Sequence, residues 1–240
     1  MKQINIKDLE FKWNGQEKTL LKIDHLSIAK GERFFLQGES GSGKTSLLSL
    51  LAGITVPQKG AIELLGLSIN KMKASERDEF RAKHMGYIFQ LFNLVPYLSV
   101  IENVTLPCQF SKQRNKAFEV SGTNAKNEAI RLLNHVGLAS KEVLHKPVTE
   151  LSVGQQQRVA ACRALIGSPE IIIADEPTSS LDEKAQQAFI SLLLAECSAN
   201  QTTLVFVSHD KKFSHLFDKS AHLENGEIIH TEQKSEGGAL

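Results

Sequence analysis

The segment GESGSGKT, residues 38–45, decides the fold of this 240-residue chain. It fits the pattern GxxxxGK[ST], with the buried-strand pattern RFFLQG before it and a helical pattern after it. Its glycines, Gly38, Gly41 and Gly43, let the backbone turn tightly and bring N–H groups close to an anion. The N-terminus of the following helix adds partial positive charge. The pattern therefore predicts a phosphate-binding loop, and the alternative is a glycine-rich turn with an exposed lysine.

Each position of this phosphate loop, residues 38–46, is a candidate contact to a nucleotide. The candidates are Gly38, Glu39, Ser40, Gly41, Ser42, Gly43, Lys44, Thr45 and Ser46. Lys44 supplies a point charge for the β- and γ-phosphates, and the Thr45 hydroxyl is suited to Mg²⁺. A nucleotide phosphate with Mg²⁺ is therefore the predicted ligand.

Two carboxylates end the apolar segment IIIADEP, residues 171–177. Charged groups at the end of a buried strand need a partner, because burying an unpaired charge is costly. A magnesium nucleotide supplies one: Asp175 would hold the metal, and Glu176 would orient or deprotonate the attacking water. The alternative is a strand exit with solvated acids. Another buried strand, TTLVFVS, ends before His209, which is suited to contact the γ-phosphate, although a lone histidine after a strand more often has a structural role.

The wider pattern predicts an α/β fold. Apolar runs at 33–38, 170–175 and 202–208 are typical of buried parallel strands, and helical patterns separate them. The predicted helices are 44–53, 75–84, 125–136, 155–167 and 183–198. The segments IKDLEF, TLLKIDHLSIA and AIELLGLSI predict an N-terminal antiparallel β layer. Residues 91–150 carry little strand pattern and predict a mainly helical insertion.

Composition excludes several classes of protein. The formal net charge of +1 gives no basic field for nucleic acid, and none is expected as a partner. The cysteines, Cys108, Cys162 and Cys197, have no metal-site spacing. No signal peptide is apparent, and the most apolar segment, residues 47–56, is too short to span a membrane. The chain is therefore expected at a membrane only through a partner.

Five features occur in one order: GESGSGKT, Gln90 in YIFQLFNL, LSVGQQQRV, IIIADEPTSSLD and His209. Together they resemble the Walker A, Q-loop, signature, Walker B with D-loop, and H-loop of an ABC transporter ATPase. The resemblance covers about residues 2–230. It implies a P-loop NTPase (RecA-like) core with an N-terminal antiparallel β subdomain and an inserted helical subdomain at about 91–165. It implies one ATPase domain over 1–230, and the polar tail 231–240 is expected to be flexible.

The resemblance also implies roles for further residues. Gln90 would touch Mg²⁺ or the attacking water, or be a surface glutamine. Trp13 would stack on adenine, or be a strand aromatic packed in the core. Ser180, Leu181 and Asp182 match the D-loop, and a helix N-cap at Ser180 or Asp182 is compatible with that role.

The signature segment, LSVGQ at 151–155, begins a predicted helix whose N-terminus suits an anion. Ser152 would donate its hydroxyl to the γ-phosphate, Gly154 would let the backbone approach, and Gln155 would anchor the loop. The other two glutamines of the run are expected to be solvated. Val153 departs from the usual LSGGQ, which puts the strength of the γ-phosphate contact in question.

Because the chain has one phosphate loop and one signature segment, the resemblance implies a head-to-tail homodimer around two ATP. FNLVPYLSVIENVTLP is similar to the ATPases of lipoprotein-releasing and macrolide or peptide exporters, although TSSLD departs from their usual TGNLD. An integral membrane permease is the implied partner, which places the chain in the cytoplasm on the inner face of the membrane. Residues 91–101 would line a groove for a helix of that partner, or pack within the helical insertion.

Three alternative functions share some of these sequence features. A P-loop phosphotransferase shares GESGSGKT but has no use for LSVGQ. A chromosome or DNA-repair ATPase would insert long coiled coils, and no sustained heptads occur here. A non-enzymatic nucleotide-binding subunit is compatible with Val153, but less so with Gln90, Glu176 and His209 together.

Overall fold

The computed structural model of the chain describes residues 2–120 and 122–233. Its strands are β1 (Lys2–Phe11), β2 (Leu21–Ala29), β3 (Arg33–Gly38), β4 (Lys59–Leu64), β5 (Leu67–Ser68), β6 (Met85–Ile88), β7 (Ile171–Asp175), β8 (Thr203–Ser208), β9 (Lys219–Glu224) and β10 (Glu227–Gln233). Its helices are α1 (Lys44–Leu51), α2 (Ala74–His84), α3 (Val100–Gln109), α4 (Lys112–Val120), α5 (Ala125–His135), α6 (Lys141–Leu144), α7 (Val153–Leu165) and α8 (Glu183–Asn200). The chain divides into two compact units, one of residues up to Asp78 and from Thr203 onward, the other of Glu79–Thr202.

The first unit contains two sheets. An antiparallel sheet has the order β2-β1-β4-β5, which confirms the predicted antiparallel layer. A mixed sheet pairs β9 antiparallel to β10, and β3 parallel to both β9 and β8. The predicted strand 33–38 is confirmed as β3, and every residue of β8 is buried.

Aromatic packing fixes the mixed sheet of the first unit. Phe35 of β3 and Phe206 of β8 stack with ring centroids 5.9 Å apart. Phe217 meets each of these rings at 5.2 Å. Burying each ring contributes about 1.5–3 kcal/mol, so this cluster holds β3 in place, and the phosphate loop follows β3 directly.

The second unit is mainly helical, with the parallel pair β6 and β7. Helix α7 packs against α3, α5 and β6. Arg114 of α4 is buried, and its guanidinium donates hydrogen bonds to the carbonyl oxygens of Ala82, Met85 and Ile166. A single side chain therefore joins the end of α2, the start of β6 and the end of α7.

The structure also corrects parts of the sequence interpretation. The segment AIELLGLSI forms two strands, β4 and β5, because Leu65 and Gly66 take left-handed φ angles of 54° and 79°. Strands β6, β9 and β10 were not predicted individually. Strand β10 continues to Gln233, and residues 234–240 of the predicted tail lie outside the described residues. Within 2–120 and 122–233, no helix is long and apolar enough to cross a membrane.

Candidate functional site

The phosphate loop joins β3 to α1 within the first unit. Gly41 and Gly43 have φ angles of 83° and 102°, a region that side chains disfavour. Lys44 is buried, and its Nζ donates hydrogen bonds to the carbonyl oxygens of Gly38 at 2.8 Å and Glu39 at 2.7 Å. The ammonium group is therefore held inside the curve of the loop.

The first turn of α1 has the chemistry of an anion site. Its N-cap is Gly43, and no described side chain caps it. The N–H groups that open a helix need partners, and the helix dipole favours a negative one. The Ser42 hydroxyl is buried and has no hydrogen-bond partner among the described residues. The exposed Thr45 and the buried Ser46 follow Lys44 on the same turn. A phosphate group fits these donors.

Trp13 and His209 also belong to the first unit. The Trp13 side chain is 40% exposed, and its Nε1 donates a hydrogen bond to Ser46 Oγ over 3.3 Å. The ring is therefore not packed in the core, and it lies beside the helix that begins at the phosphate loop. His209 is exposed just after β8, and Asp210 begins the next turn by accepting a hydrogen bond from Lys212 N at 3.0 Å.

The two predicted carboxylates end β7 in the second unit. Asp175 is 8% exposed, and Glu176 is partly exposed with a left-handed φ of 45°. Burial, followed by the negative charge of Asp175, raises the pKa of Tyr87 on β6. Burial is the larger cause, and the Asp175 carboxylate adds its charge across the end of the β6–β7 pair.

Gln90 is exposed in the loop that follows β6. The next residues are held from outside the loop: Arg163 of α7 donates hydrogen bonds to the carbonyl oxygens of Phe92 at 2.6 Å and Asn93 at 2.7 Å. Phe92 and Asn93 have φ angles of 60° and 48°, so the loop is strained and Arg163 fixes it. Sequence reasoning missed Arg163, because no local pattern reveals a contact across about seventy residues.

The signature segment begins α7 with a capping box. Ser152 Oγ accepts a hydrogen bond from Gln155 N at 3.3 Å, and Gln155 Oε1 accepts one from Ser152 N at 2.9 Å. Gln155 therefore anchors the loop. Gly154 is helical. A Cβ added at this position would lie 3.5 Å from Leu181 Cδ2, which is an ordinary van der Waals distance. Val153 is 52% exposed.

The expectation that the other two glutamines are solvated is wrong for Gln157, while Gln156 is half-buried. Gln156 donates a hydrogen bond to the Leu151 carbonyl at 3.0 Å. Gln157 is fully buried, and neither of its amide atoms has a hydrogen-bond partner among the described residues. Its burial follows from helical spacing, because Ala160, Ala161 and Ala164 lie on the same buried face.

The segment matching the D-loop precedes α8. Asp182, not Ser180, is the N-cap, and its carboxylate accepts a hydrogen bond from Ala185 N at 2.9 Å. Gln186, which the sequence interpretation missed, donates to the carbonyl oxygens of Thr178 at 3.0 Å and Leu181 at 3.1 Å. Hydrogen bonds to residues of α8 therefore hold the conformation of this segment.

The candidate residues divide between the two units. The first unit holds Trp13, the phosphate loop and His209, and the second holds Gln90, Asp175, Glu176 and the signature segment. Within each unit, these residues lie at strand ends, helix starts or loops. Their individual chemical roles stay predictions.

Comparison with known proteins identifies the family. The ABC transporter family matches residues 21–179. The lipoprotein-releasing system ATP-binding protein LolD of Psychrobacter arcticus is 38% identical over 226 residues, covering 94% of this chain and 96% of LolD. The Escherichia coli ABC transporter ATP-binding protein YbbA is 38% identical over 212 residues, covering 88% and 89%.

A solved structure agrees with these relatives. The dimeric post-hydrolysis state of the ATP-binding cassette MJ0796, bound to ADP and Pi, has a TM-score of 0.83 and 30% identity, covering 96% of this chain and 98% of that one. This match confirms the predicted P-loop NTPase fold. The chain belongs to the ABC transporter family and is one of its ATP-binding, ATP-hydrolysing subunits.

Proposed function

We propose that two copies of this chain bind two ATP head to tail, and that closing and reopening of the dimer drives a membrane partner. The observation that carries the proposal is the uncapped first turn of α1, with the buried Ser42 hydroxyl unpartnered among the described residues. The MJ0796 cassette, which this chain resembles in fold and sequence, is dimeric with ADP and Pi bound. A symmetric pair would form two identical sites, each completed by the other chain.

Each residue then has a defined task. The phosphate loop binds the β- and γ-phosphates, and Lys44 supplies the positive charge that they need. Trp13 stacks on the adenine base. Glu176 orients the attacking water and accepts its proton, while His209 donates a hydrogen bond to the γ-phosphate.

Thr45, Gln90 and Asp175 are the residues that would hold Mg²⁺, because hard oxygen ligands suit that ion. When bound, the ion would neutralise negative charge that develops on the phosphate oxygens.

The signature segment would act on the nucleotide held by the second copy. Its Ser152 hydroxyl accepts a hydrogen bond from Gln155 N, yet still has a hydrogen to donate to a phosphate oxygen. Because ATP would then be part of the interface, binding would favour the closed dimer and hydrolysis would release it.

The membrane partner would be an integral permease, and transport would be export or extrusion of a lipoprotein, peptide or drug. The name of LolD, a lipoprotein-releasing system ATP-binding protein, points in that direction. The chain would then be held on the cytoplasmic face of the membrane by the permease. Leu91 and Tyr97 are 82% and 83% exposed, and they offer an apolar surface to a helix of that partner.

The central experiment measures ATP turnover by the purified chain and by Glu176→Gln. Removing the general base should lower turnover at least about 100-fold, since such groups contribute about 10²–10⁴-fold. The variant should still bind ATP and should elute as a dimer in size-exclusion chromatography only when ATP is present.

The matched control is Glu183→Gln, the same change on an exposed residue of α8. It should hydrolyse ATP at the parental rate. Normal turnover by Glu176→Gln would remove Glu176 from its role, and an ATP-bound variant that stays monomeric would refute the dimer.

The docking surface is tested by Tyr97→Glu. A charge on this exposed ring position should reduce recovery of the membrane complex while ATP binding stays parental. Undiminished recovery would exclude this surface as the permease contact.

A further inference from the structure

Two contacts hold the Trp13 ring, and a third holds the residue before it, in the loop of residues 12–20, which joins β1 to β2. The Phe11 ring meets the indole edge-on, with centroids 5.1 Å apart and an interplanar angle of 79°. The indole Nε1 donates its hydrogen bond to Ser46 Oγ. The third contact comes from Gln58, on the segment that leads into β4, and it acts on the residue before Trp13.

The side-chain amide of Gln58 binds both polar backbone groups of Lys12. The Lys12 N–H donates to Gln58 Oε1 at 2.9 Å, and Gln58 Nε2 donates to the Lys12 carbonyl at 2.9 Å. A hydrogen-bonded pair in an antiparallel ladder exchanges the same two bonds. The backbone pairing of β1 with β4 ends at Glu10 and Lys59. The Gln58 side chain therefore acts as one more peptide unit and extends this pairing to the residue before Trp13.

Among the described residues, the two bonds of Gln58 are the only hydrogen bonds between this loop and the segment that leads into β4. Its backbone–backbone bonds face β2 or close the loop's own turn: Leu20 N donates to the Phe11 carbonyl at 2.8 Å, and Gln16 N donates to the Trp13 carbonyl at 3.0 Å. A single exposed hydrogen bond contributes little to stability. Two bonds to one residue instead fix a backbone direction, and that direction sets where the Trp13 ring points.

We propose that Gln58 is a positioning residue that orders Trp13 for stacking on the nucleotide base. The inference rests on the proposed function of Trp13. A ring that is already ordered loses less freedom when a base stacks on it, so binding is tighter. The effect should be confined to ligands that carry a base, because Gln58 does not contact the phosphate loop in any hydrogen bond of the described residues.

The chain offers a direct reporter, because Trp13 is its only tryptophan. Gln58→Met keeps the length of the side chain and removes the amide. In the full-length free protein, this variant should show lower tryptophan anisotropy and stronger acrylamide quenching than the parent. Its Kd for ATP should rise about fivefold, as expected for a modest loss of preorganisation. Its Kd for magnesium tripolyphosphate, which has no base, should stay parental.

Two further variants separate this role from general loop stability. Gln16→Met makes the same chemical change in the same loop, and the Gln16 side chain makes no hydrogen bond within the described residues. It should match the parent in all four measurements. Gln58→Glu keeps the acceptor for Lys12 N and loses the donor to the Lys12 carbonyl, so it should give intermediate values.

The outcomes distinguish the two proposals. If parental Trp13 fluorescence does not respond to ATP, the nucleotide role of Trp13 fails, and this inference fails with it. If the parent responds but Gln58→Met keeps parental anisotropy and ATP affinity, this inference alone is wrong. An equal loss of affinity for ATP and tripolyphosphate would also overturn it, because the defect would then be in the phosphate loop.

Discussion

Helices α1 and α7 both begin within predicted site segments, and their first turns are built in opposite ways. Helix α1 starts at Gly43, whose φ is 102°, and no described side chain caps it. Helix α7 starts at Ser152, which forms a complete capping box with Gln155. No described side chain thus caps the first turn of α1, whereas α7 satisfies part of its first turn internally.

Under the proposed function, this difference would separate two kinds of phosphate recognition. An anion would complete the α1 turn, so binding there should be strong in a single chain. The α7 turn is already stable, so it gains less from an anion and can engage one transiently. Strong binding by one helix end and reversible contact by the other would suit the proposed dimer, which would open after each turnover.

Among the changes that test this contrast, the largest effect is expected from Gly43→Ala, which disrupts the α1 turn. A Cβ here would lie 2.6 Å from Leu21 Cδ2, and φ 102° is strained for alanine. We expect the free energy of unfolding to fall by about 1–3 kcal/mol, and ATP affinity, measured by calorimetry, to fall at least about tenfold. Gly66→Ala, with φ 79° and no atom within 4 Å, controls for the backbone strain alone. Parental ATP affinity in Gly43→Ala would show that this turn is not where ATP binds.

An intermediate effect is expected for Ser152→Ala, which opens the capping box of α7. Loss of an N-cap should lower the free energy of unfolding by about 1 kcal/mol, measured by denaturant titration. ATP binding by the monomer should be unchanged, while turnover should fall. The matched control is Ser140→Ala, which removes the N-cap of α6, where Ser140 Oγ accepts a hydrogen bond from Val143 N at 3.4 Å. If both variants lose turnover equally, the effect of Ser152 is on stability only.

The smallest effect is expected for Val153→Gly. This side chain is 52% exposed, so its removal leaves no cavity. Monomer affinity for ATP should be unchanged, and turnover should change only severalfold, because the backbone of α7 gains freedom at its first residue. Steady-state turnover at several protein concentrations would measure the effect. If Val153→Gly changed the affinity of the monomer for ATP, the signature segment would contact the nucleotide of its own chain. The proposed difference between the first turns of α1 and α7 would then be wrong.

The sequence predicts the phosphate loop and its flanking elements well, because their signals are local. Strand β3 has the predicted bounds, since an apolar run ends at the first glycine of the loop. The four-residue β6 was missed, because it follows His84 of α2 with no turn residue between them. Helix α3 begins with a capping box of Ser99 and Glu102, which is a local sequence signal for a helix start. Pro107 lies within the same helix, and a proline usually argues against a helix.

Tertiary contacts account for what the sequence could not predict in the candidate site. The contacts of Arg163 with the loop after Gln90, and of Gln58 with Lys12, join residues far apart in sequence. Gln157 looks like a solvated residue of a glutamine run, yet the packing of α7 buries it completely. The local sequence predicts which chemical groups the candidate site contains. Contacts between residues far apart in sequence determine which of those groups are ordered.

The backbone at Glu176 has a consequence for how such a chain could evolve. Its φ of 45° is one that glycine, asparagine or aspartate adopts at lower cost than glutamate. Selection for a stable fold alone would therefore move this position away from glutamate. If Glu176 has its proposed role, the need for a carboxylate of this reach would outweigh that cost, as expected where strain is kept at a working site.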